Sequence, residues 1–94
     1  MYAVIRRYSG VPALIHALEQ KQEDVKKQMA ETPGFIAYYA MRDGEALATV
    51  TVCEDRKGAE EASRRAAQWV RDNLATQRVR TPEAIGGEVF IHTP

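Results

Sequence analysis

Ninety-four residues are enough for one folded domain and too few for two. A hydrophobic fraction of 45% beside 28% charged residues excludes a disordered chain. Thirteen Lys plus Arg against thirteen Asp plus Glu leave a formal net charge of zero, which argues against a nucleic-acid partner.

The basic pairs Arg6-Arg7, Lys26-Lys27 and Arg64-Arg65 read as solvated faces. Cys53 is the only cysteine, so neither an internal disulfide nor a cysteine-built zinc cluster is available, and a lone thiol suits a reducing interior. Met1 to Tyr8 already reads as a strand with two arginines in it, unlike a signal or transit peptide. No apolar run approaches the ~20 residues that a membrane span needs. A cytoplasmic protein with no membrane partner is expected.

In chain order, Tyr2 to Tyr8 is rich in strand-forming residues and ends at the turn signal Ser9-Gly10. From Val11 the period changes. Val11, Leu14, Ile15, Leu18, Val25 and Met29 recur at helical spacing, with Ser9 as candidate cap and Pro12 near the start. Gln22 interrupts this stripe, either as a pocket edge or as a rim residue. Thr32-Pro33-Gly34 stops the helix. Phe35 to Arg42 and Glu45 to Glu54 form a hairpin about Asp43-Gly44, a pair suited to a type I′ turn, so that Arg42 faces Glu45 and Met41 faces Ala46. Alternation puts Phe35, Ala37, Tyr39, Met41, Ala46, Ala48, Val50 and Val52 on one face and Ile36, Tyr38, Ala40, Arg42, Glu45, Leu47, Thr49, Thr51 and Cys53 on the other. Asp55 is a candidate cap for a second helix, whose stripe is Ala59, Ala62, Ala66, Trp69, Val70 and Asn73. Thr76 to Gly87 reads as a loop and Glu88 to His92 as a last short strand.

The order βαββαβ makes residues 1–94 a single ferredoxin-like domain of the α+β class, with a four-stranded antiparallel sheet and two helices on one face. The more apolar hairpin face is expected under the helices. The mixed face, with Ile36, Tyr38 and Leu47, would then lie bare and pair with a second copy, as a patch of that kind requires.

Three segments carry a family resemblance: Tyr2-Ala3-Val4-Ile5-Arg6-Arg7-Tyr8, Thr32-Pro33-Gly34-Phe35-Ile36-Ala37-Tyr38-Tyr39, and Gly87-Glu88-Val89. Together the chain resembles small dimeric α/β-barrel proteins of the antibiotic-biosynthesis-monooxygenase-like superfamily. The resemblance spans essentially the whole chain and implies a homodimeric α/β barrel. It also implies chemistry of the kind found in that superfamily, which includes cofactor-independent oxygenases of polyketide quinones and haem-degrading monooxygenases. The motifs are structural, and functional residues match poorly. The third strand, Thr49-Val50-Thr51-Val52-Cys53, lacks the tryptophan of the quinone oxygenases. The first strand has Arg6 and Arg7 where the haem-degrading members have asparagine, and the second helix has Trp69 and Asn73 but no histidine.

Two groups of residues are candidates for chemistry. Trp69 with Asn73 one turn on is either a pocket wall for a small aromatic molecule or a core anchor beside a helix end. Tyr38, Arg6, Thr49, Thr51, Cys53 and His92 either converge between paired sheets, where an arginine among hydroxyls suits an anionic or enolate-like group, or fill a dimer interface. Cys53 is either a nucleophile or an inert buried thiol. His16 reads as a surface residue, and the two histidines lack metal-ligand spacing, so no metal or other cofactor is expected.

Three classes of function remain: a monooxygenase-like protein acting on a small aromatic or quinone-type molecule, a non-catalytic ligand-binding or structural dimer, and a sensor of the ACT type. The last is disfavoured because Ser9-Gly10-Val11-Pro12 lacks an acidic-Pro-Gly loop. On the first reading Tyr38 and Arg6 are the candidate catalytic residues, with Tyr39 as a second proton donor. Trp69, Asn73, Tyr39, Thr49 and Thr51 are then the candidate ligand contacts.

Overall fold

Alternating short strands and helices follow one another along the computed structural model, which describes residues 1–74 and 79–94. They are β1 (Tyr2–Tyr8), α1 (Pro12–Gln20), α2 (Gln22–Ala30), β2 (Phe35–Asp43), β3 (Ala46–Cys53), α3 (Arg56–Asn73) and β4 (Glu83–Glu88). All pairings are antiparallel and the strand order is β2-β3-β1-β4, as a split βαβ arrangement requires.

Local signals account for most helix ends. Asp55 caps α3, its Oδ1 accepting the Gly58 N–H at 2.9 Å. Pro12 opens α1, where its missing N–H costs nothing. The Ser9 cap is not used: Val11 holds the cap position and donates its N–H to the Glu45 carbonyl at 3.2 Å, so the hairpin turn anchors the helix. The single helix expected over Val11 to Met29 is two, broken at Lys21 (φ −114°, ψ 33°), so three helical segments cover the sheet rather than two. Hydrogen bonds continue through the joint, from Lys21 N–H to Ala17 and from Val25 N–H to Lys21, while the Lys21 ammonium reaches Asn73 Oδ1 at 2.6 Å.

The hairpin turn sits one residue later than expected. Asp43 pairs with Ala46, leaving Gly44-Glu45 as the two-residue loop. Only Gly44 has positive φ (61°), which matches a turn that needs this at its first central position alone and spares Asp43 the strain. Moving the turn by one residue moves each partner by two, so the faces keep their members. A bulge between Phe35 and Ala37 is the exception. It sets Phe35 opposite Cys53, on the face opposite to the one expected.

The last strand is Glu83–Glu88, all but its final residue in the segment expected to be loop, and not Glu88 to His92; residues 76–78 of that expected loop lie outside the described residues. Gly86 is a strand residue because β4 passes close over Tyr2: a Cβ there would stand 3.1 Å from the Tyr2 ring. Phe90 and Ile91, beyond β4, are exposed.

The helices cover the mixed face, not the apolar one. Leu47, Thr49, Thr51 and Cys53 are buried beneath them together with Arg6. Leu14, Ile15, Leu47, Trp69 and Leu74 form one apolar nucleus, and Met29, Cys53, Ala59 and Ala62 another. The face left open carries the row Ile85–Ile5–Val50–Tyr39 across all four strands, with Gly87–Ala3–Val52–Ala37 beside it. Ile5, Tyr39, Met41 and Ile85 are 39%, 63%, 65% and 69% exposed. Alternation assigns residues to faces but does not say which face the crossovers cover, and that is decided by the handedness of the two connections.

Candidate functional site

Arg6 is the unusual residue of the covered face. It lies on central strand β1, opposite Thr49 on one side and Ala84 on the other, and is only 5% exposed. Its Nη1 donates to Thr51 Oγ1 at 3.3 Å and its Nη2 donates to Ser63 Oγ, which in turn donates to the Ala59 carbonyl at 3.0 Å. Among the described residues no carboxylate forms an ion pair with it; the ion-paired arginines are Arg7, Arg42, Arg56, Arg64 and Arg65. The four remaining residues, Ala75-Thr76-Gln77-Arg78, contain no carboxylate either. Burial lowers the Arg6 pKa, with the nearby Tyr8, Tyr38 and Cys53 opposing. A guanidinium keeps its charge even so, so a positive potential is held beneath the helices, where among the described residues hydroxyl dipoles solvate it.

Beside it, a cleft opens between the helices and the β2–β3 edge. Ile15 and Leu18 of α1, Gln22 and Val25 of α2, and Tyr38, Ala40 and Leu47 of the sheet line a space of about 380 Å³, within the range of small-molecule sites. Its rim is charged: Glu19 and Lys26 on the helices, Arg42 on β2. Leu18, Val25, Tyr38 and Leu47 also bound a recess of about 30 Å³ that is closed by Tyr8, Met29, Thr49, Ala66 and Trp69. Tyr38 is thus shared between cleft and recess. Its pKa is pushed up to about 12, first by burial and then by Tyr8, with the Arg6 charge and the Thr49 hydroxyl acting in the opposite direction. Burial also raises Tyr8. Both phenols therefore keep their protons at neutral pH and act as donors rather than bases.

Of the candidate residues, Tyr38, Thr49 and Trp69 meet at this recess, with Arg6 and Thr51 directly behind them on the same face. They meet between sheet and helices, where Trp69 was expected, and not on the bare face expected to carry Tyr38, Arg6, Thr49 and Thr51. Trp69 is both wall and anchor: it is 7% exposed, and its indole N–H donates to Asp24 Oδ2 at 2.8 Å. Asn73 does not reach the cleft lining; its amide donates to the Trp69 carbonyl at 2.8 Å and its oxygen accepts from Lys21. Tyr39 stands on the open face. His92 lies in the exposed segment after β4. Cys53 is fully buried with its pKa raised by burial first and by Asp55 second, the setting of an inert thiol.

Three contributors were missed in the sequence. Ser63 follows Ala59 by four and precedes Ala66 by three, so a hydroxyl on the edge of a buried alanine stripe was a readable sign. Lys26 read as a solvated charge and Arg42 as a member of the mixed hairpin face, and only the tertiary structure puts them on one rim.

Other hollows are less enclosed by chemistry. One of about 700 Å³ lies by Pro33, Asp55, Lys57 and Arg64, and one of about 430 Å³ by Arg7, Met41, Asp43 and Glu83; among the described residues neither has a buried polar side chain in its lining. No helix among the described residues is long and apolar enough to cross a membrane.

No protein-family model matches the chain, and no curated protein matches it in sequence. Solved structures do match. A protein of unknown function from Nitrosomonas europaea superposes with a TM-score of 0.76 at 19% identity, covering 99% of this chain and 92% of its own. SnoaB, a cofactor-independent oxygenase from Streptomyces nogalater, gives 0.69 at 17% identity over 99% and 96% of the two chains. A monooxygenase from the gene ActVA-Orf6 of Streptomyces coelicolor, in complex with nanaomycin D, gives 0.68 at 16% identity over 99% and 91%. At such identities the likeness is one of architecture, and fold does not carry function with it. The chain has the fold of the antibiotic-biosynthesis-monooxygenase-like proteins.

Proposed function

We propose that the protein is a homodimer, joined through its open sheet faces, in which each subunit's cleft binds a hydroxylated aromatic or quinone-type molecule and directs its reaction with dioxygen. The single observation that carries the site is Arg6: a buried cation whose side-chain partners among the described residues are hydroxyls, beside a cleft with apolar walls. A buried charge is costly to keep, and a developing anion is what would repay it. The dimer rests on the apolar row Ile85–Ile5–Val50–Tyr39, which the helices leave uncovered and which suits a copy of itself across a two-fold axis. A reducing cytoplasm suits the unpaired Cys53.

On this reading the substrate supplies the electrons. A phenol whose ring bears a methylene group ionises to an enolate-like anion, which the Arg6 potential favours. The anion passes one electron to dioxygen, the two radicals join as a C–O–O⁻ peroxide, and the peroxide takes up a proton. Loss of water then leaves a carbonyl, so that CH₂ plus O₂ becomes C=O plus H₂O with no external reductant. Tyr38, protonated at neutral pH, is the group placed to donate to the peroxide. Arg6 does not line the cleft, so it acts through its field and through Thr51 and Thr49, as a positioning residue. The likeness to SnoaB and to the nanaomycin-binding monooxygenase supports the substrate class.

The test is aerobic conversion of 1,8-dihydroxyanthrone to the quinone, followed by absorbance and oxygen uptake. The protein is expected to exceed the buffer rate, with Tyr38→Phe lowering the gain by about a hundredfold, the range for a lost proton donor. Binding without turnover would favour a non-catalytic ligand carrier, and neither binding nor turnover would overturn the reading of the cleft.

A further inference from the structure

We propose that the recess behind the cleft is a binding site for dioxygen, which it holds against whatever molecule the cleft contains. The inference rests on the reading that the cleft holds the oxidisable substrate. The recess measures about 30 Å³, against the ~10–15 Å³ that a single water needs, so it has room for a diatomic molecule and none for a ring. Leu14, Leu18, Val25, Met29, Leu47 and Val70 make most of its wall. A water would need ~2–4 polar partners to stay there. Trp69 turns its only donor away, to Asp24 Oδ2 at 2.8 Å, and the Thr49 hydroxyl lies by the Tyr38 phenol. Among the described residues no buried side-chain nitrogen or oxygen lacks a hydrogen-bond partner, so no orphaned group holds a water in place. A small hollow with apolar walls of this kind stays dry and takes up apolar gases.

Its position suits dioxygen among such gases. Leu18, Val25, Tyr38 and Leu47 bound both recess and cleft, so a gas molecule in one lies next to a ring in the other. That contact spares the reaction a second encounter from solution. Tyr8 and Tyr38 line the recess, and the Arg6 charge acts on both phenols. Neutral dioxygen gains little from that charge and superoxide gains much, so the site favours the reduced gas over the one that enters. The electron comes from the substrate anion in the cleft, and the two radicals then join through a new C–O bond as the peroxide. No other oxidant or reductant takes part.

Dioxygen is paramagnetic and serves as its own probe. Methyl NMR of the whole protein under pressurised oxygen, against nitrogen at the same pressure, reads proton relaxation site by site. Leu14, Met29 and Ala66 line the recess; Ala59 and Ala62 are as deeply buried as Leu14 and Met29 but lie outside it, and Ile15 lines only the cleft. Relaxation is expected to rise severalfold more at Leu14, Met29 and Ala66 than at Ala59, Ala62 or Ile15. Ala66→Val adds bulk to the wall and should bring Leu14 and Met29 down to the level of Ala59. In oxidation of the anthrone the same variant should raise the KM for dioxygen more than the KM for the anthrone. Circular dichroism checks that it is folded. Enhancement no greater at Leu14 and Met29 than at Ala59 and Ala62, or greatest at Ile15, overturns the proposal whatever becomes of the anthrone. Enhancement centred on the recess, in a protein that does not oxidise the anthrone, supports the gas site and overturns the reading of the cleft instead.

Discussion

The two faces of one sheet divide this molecule's labour. Under the helices lie Arg6, Tyr38, Thr49 and Thr51, and Arg6 ties this set together by donating to Thr51 and to Ser63 of α3. On the bare side lie Ile5, Ala37, Tyr39, Val50, Val52 and Ile85, with the Arg7–Glu83 pair towards the hairpin end. The more apolar face is the outer one. A domain that only had to cover its own core would have done the reverse. The arrangement makes sense if the outer face is covered by a second copy and the inner one must hold a charge. On the proposed reading, the apolar face is the one that a second copy covers, and the polar groups under the helix layer are the ones that meet a ligand.

The largest test of that contrast is on the bare face. Val50 lies on central strand β3 between Ile5 and Tyr39 and is half-buried in one subunit. Val50→Asp should leave a folded monomer, since strand propensity alone costs under ~1 kcal/mol. In a dimer the same change buries an unpaired carboxylate at ~3 kcal/mol or more, a dissociation constant raised more than a hundredfold. Sedimentation velocity distinguishes the two states, and a dimer that survives the change would mean that the subunits meet elsewhere.

A second test, somewhat smaller, lies on the covered face and uses pH. Tyr38 ionises near 12 in the folded protein and near 10 when unfolded. A group whose pKa is raised by folding contributes fully below its unfolded value, and that contribution is lost as pH rises through the folded one. Between pH 10 and 12 this group should therefore cost the protein ~2–3 kcal/mol. Tyr38→Phe lacks the group, so urea unfolding at stepped pH should show the variant gaining on the unaltered protein across that window. A gap that does not change with pH would mean that Tyr38 is not held protonated by burial.

The smallest effect carries the most information about function. Arg6→Met keeps most of the volume and removes a desolvated cation that has no counter-charge. Stability should rise by ~1 kcal/mol, or ~4–8 °C in midpoint, although Thr51 loses a donor. Oxidation of the anthrone should fall at the same time. A variant that unfolds at lower temperature would show that Arg6 is chiefly structural, held by Thr51 and Ser63 for the sake of the core.

Element order and most local signals were legible because they depend on neighbours in the chain. Asp55 caps, Pro12 opens a helix and Pro33-Gly34 ends one whatever the rest of the molecule does. Trp69 was readable as the anchor of α3, yet its partner Asp24 was not, because the pair is 45 residues apart in the chain. The hairpin shows the boundary well. Alternation put Tyr38, Thr49 and Thr51 on one face and Tyr39 and Val50 on the other, and a turn displaced by one residue did not disturb that, because the pleat has period two. The bulge at Phe35 did, since one extra residue reverses the side of what precedes it. The last strand was misplaced because Gly86-Gly87 looks like a bend unless Tyr2 is known to lie against it.

By itself, then, the sequence determined the class of fold, the two memberships of the sheet faces apart from Phe35, and the candidacy of Tyr38, Arg6, Thr49, Thr51 and Trp69. The tertiary structure alone decided that the polar membership lies inward, that Ser63 meets Arg6 and that Lys26, Arg42 and Glu19 share one mouth. Spacing along a chain fixes which side chains point the same way. Which of two faces the crossovers cover, and what converges there from elements dozens of residues apart, depends on the handed path of the whole chain through space.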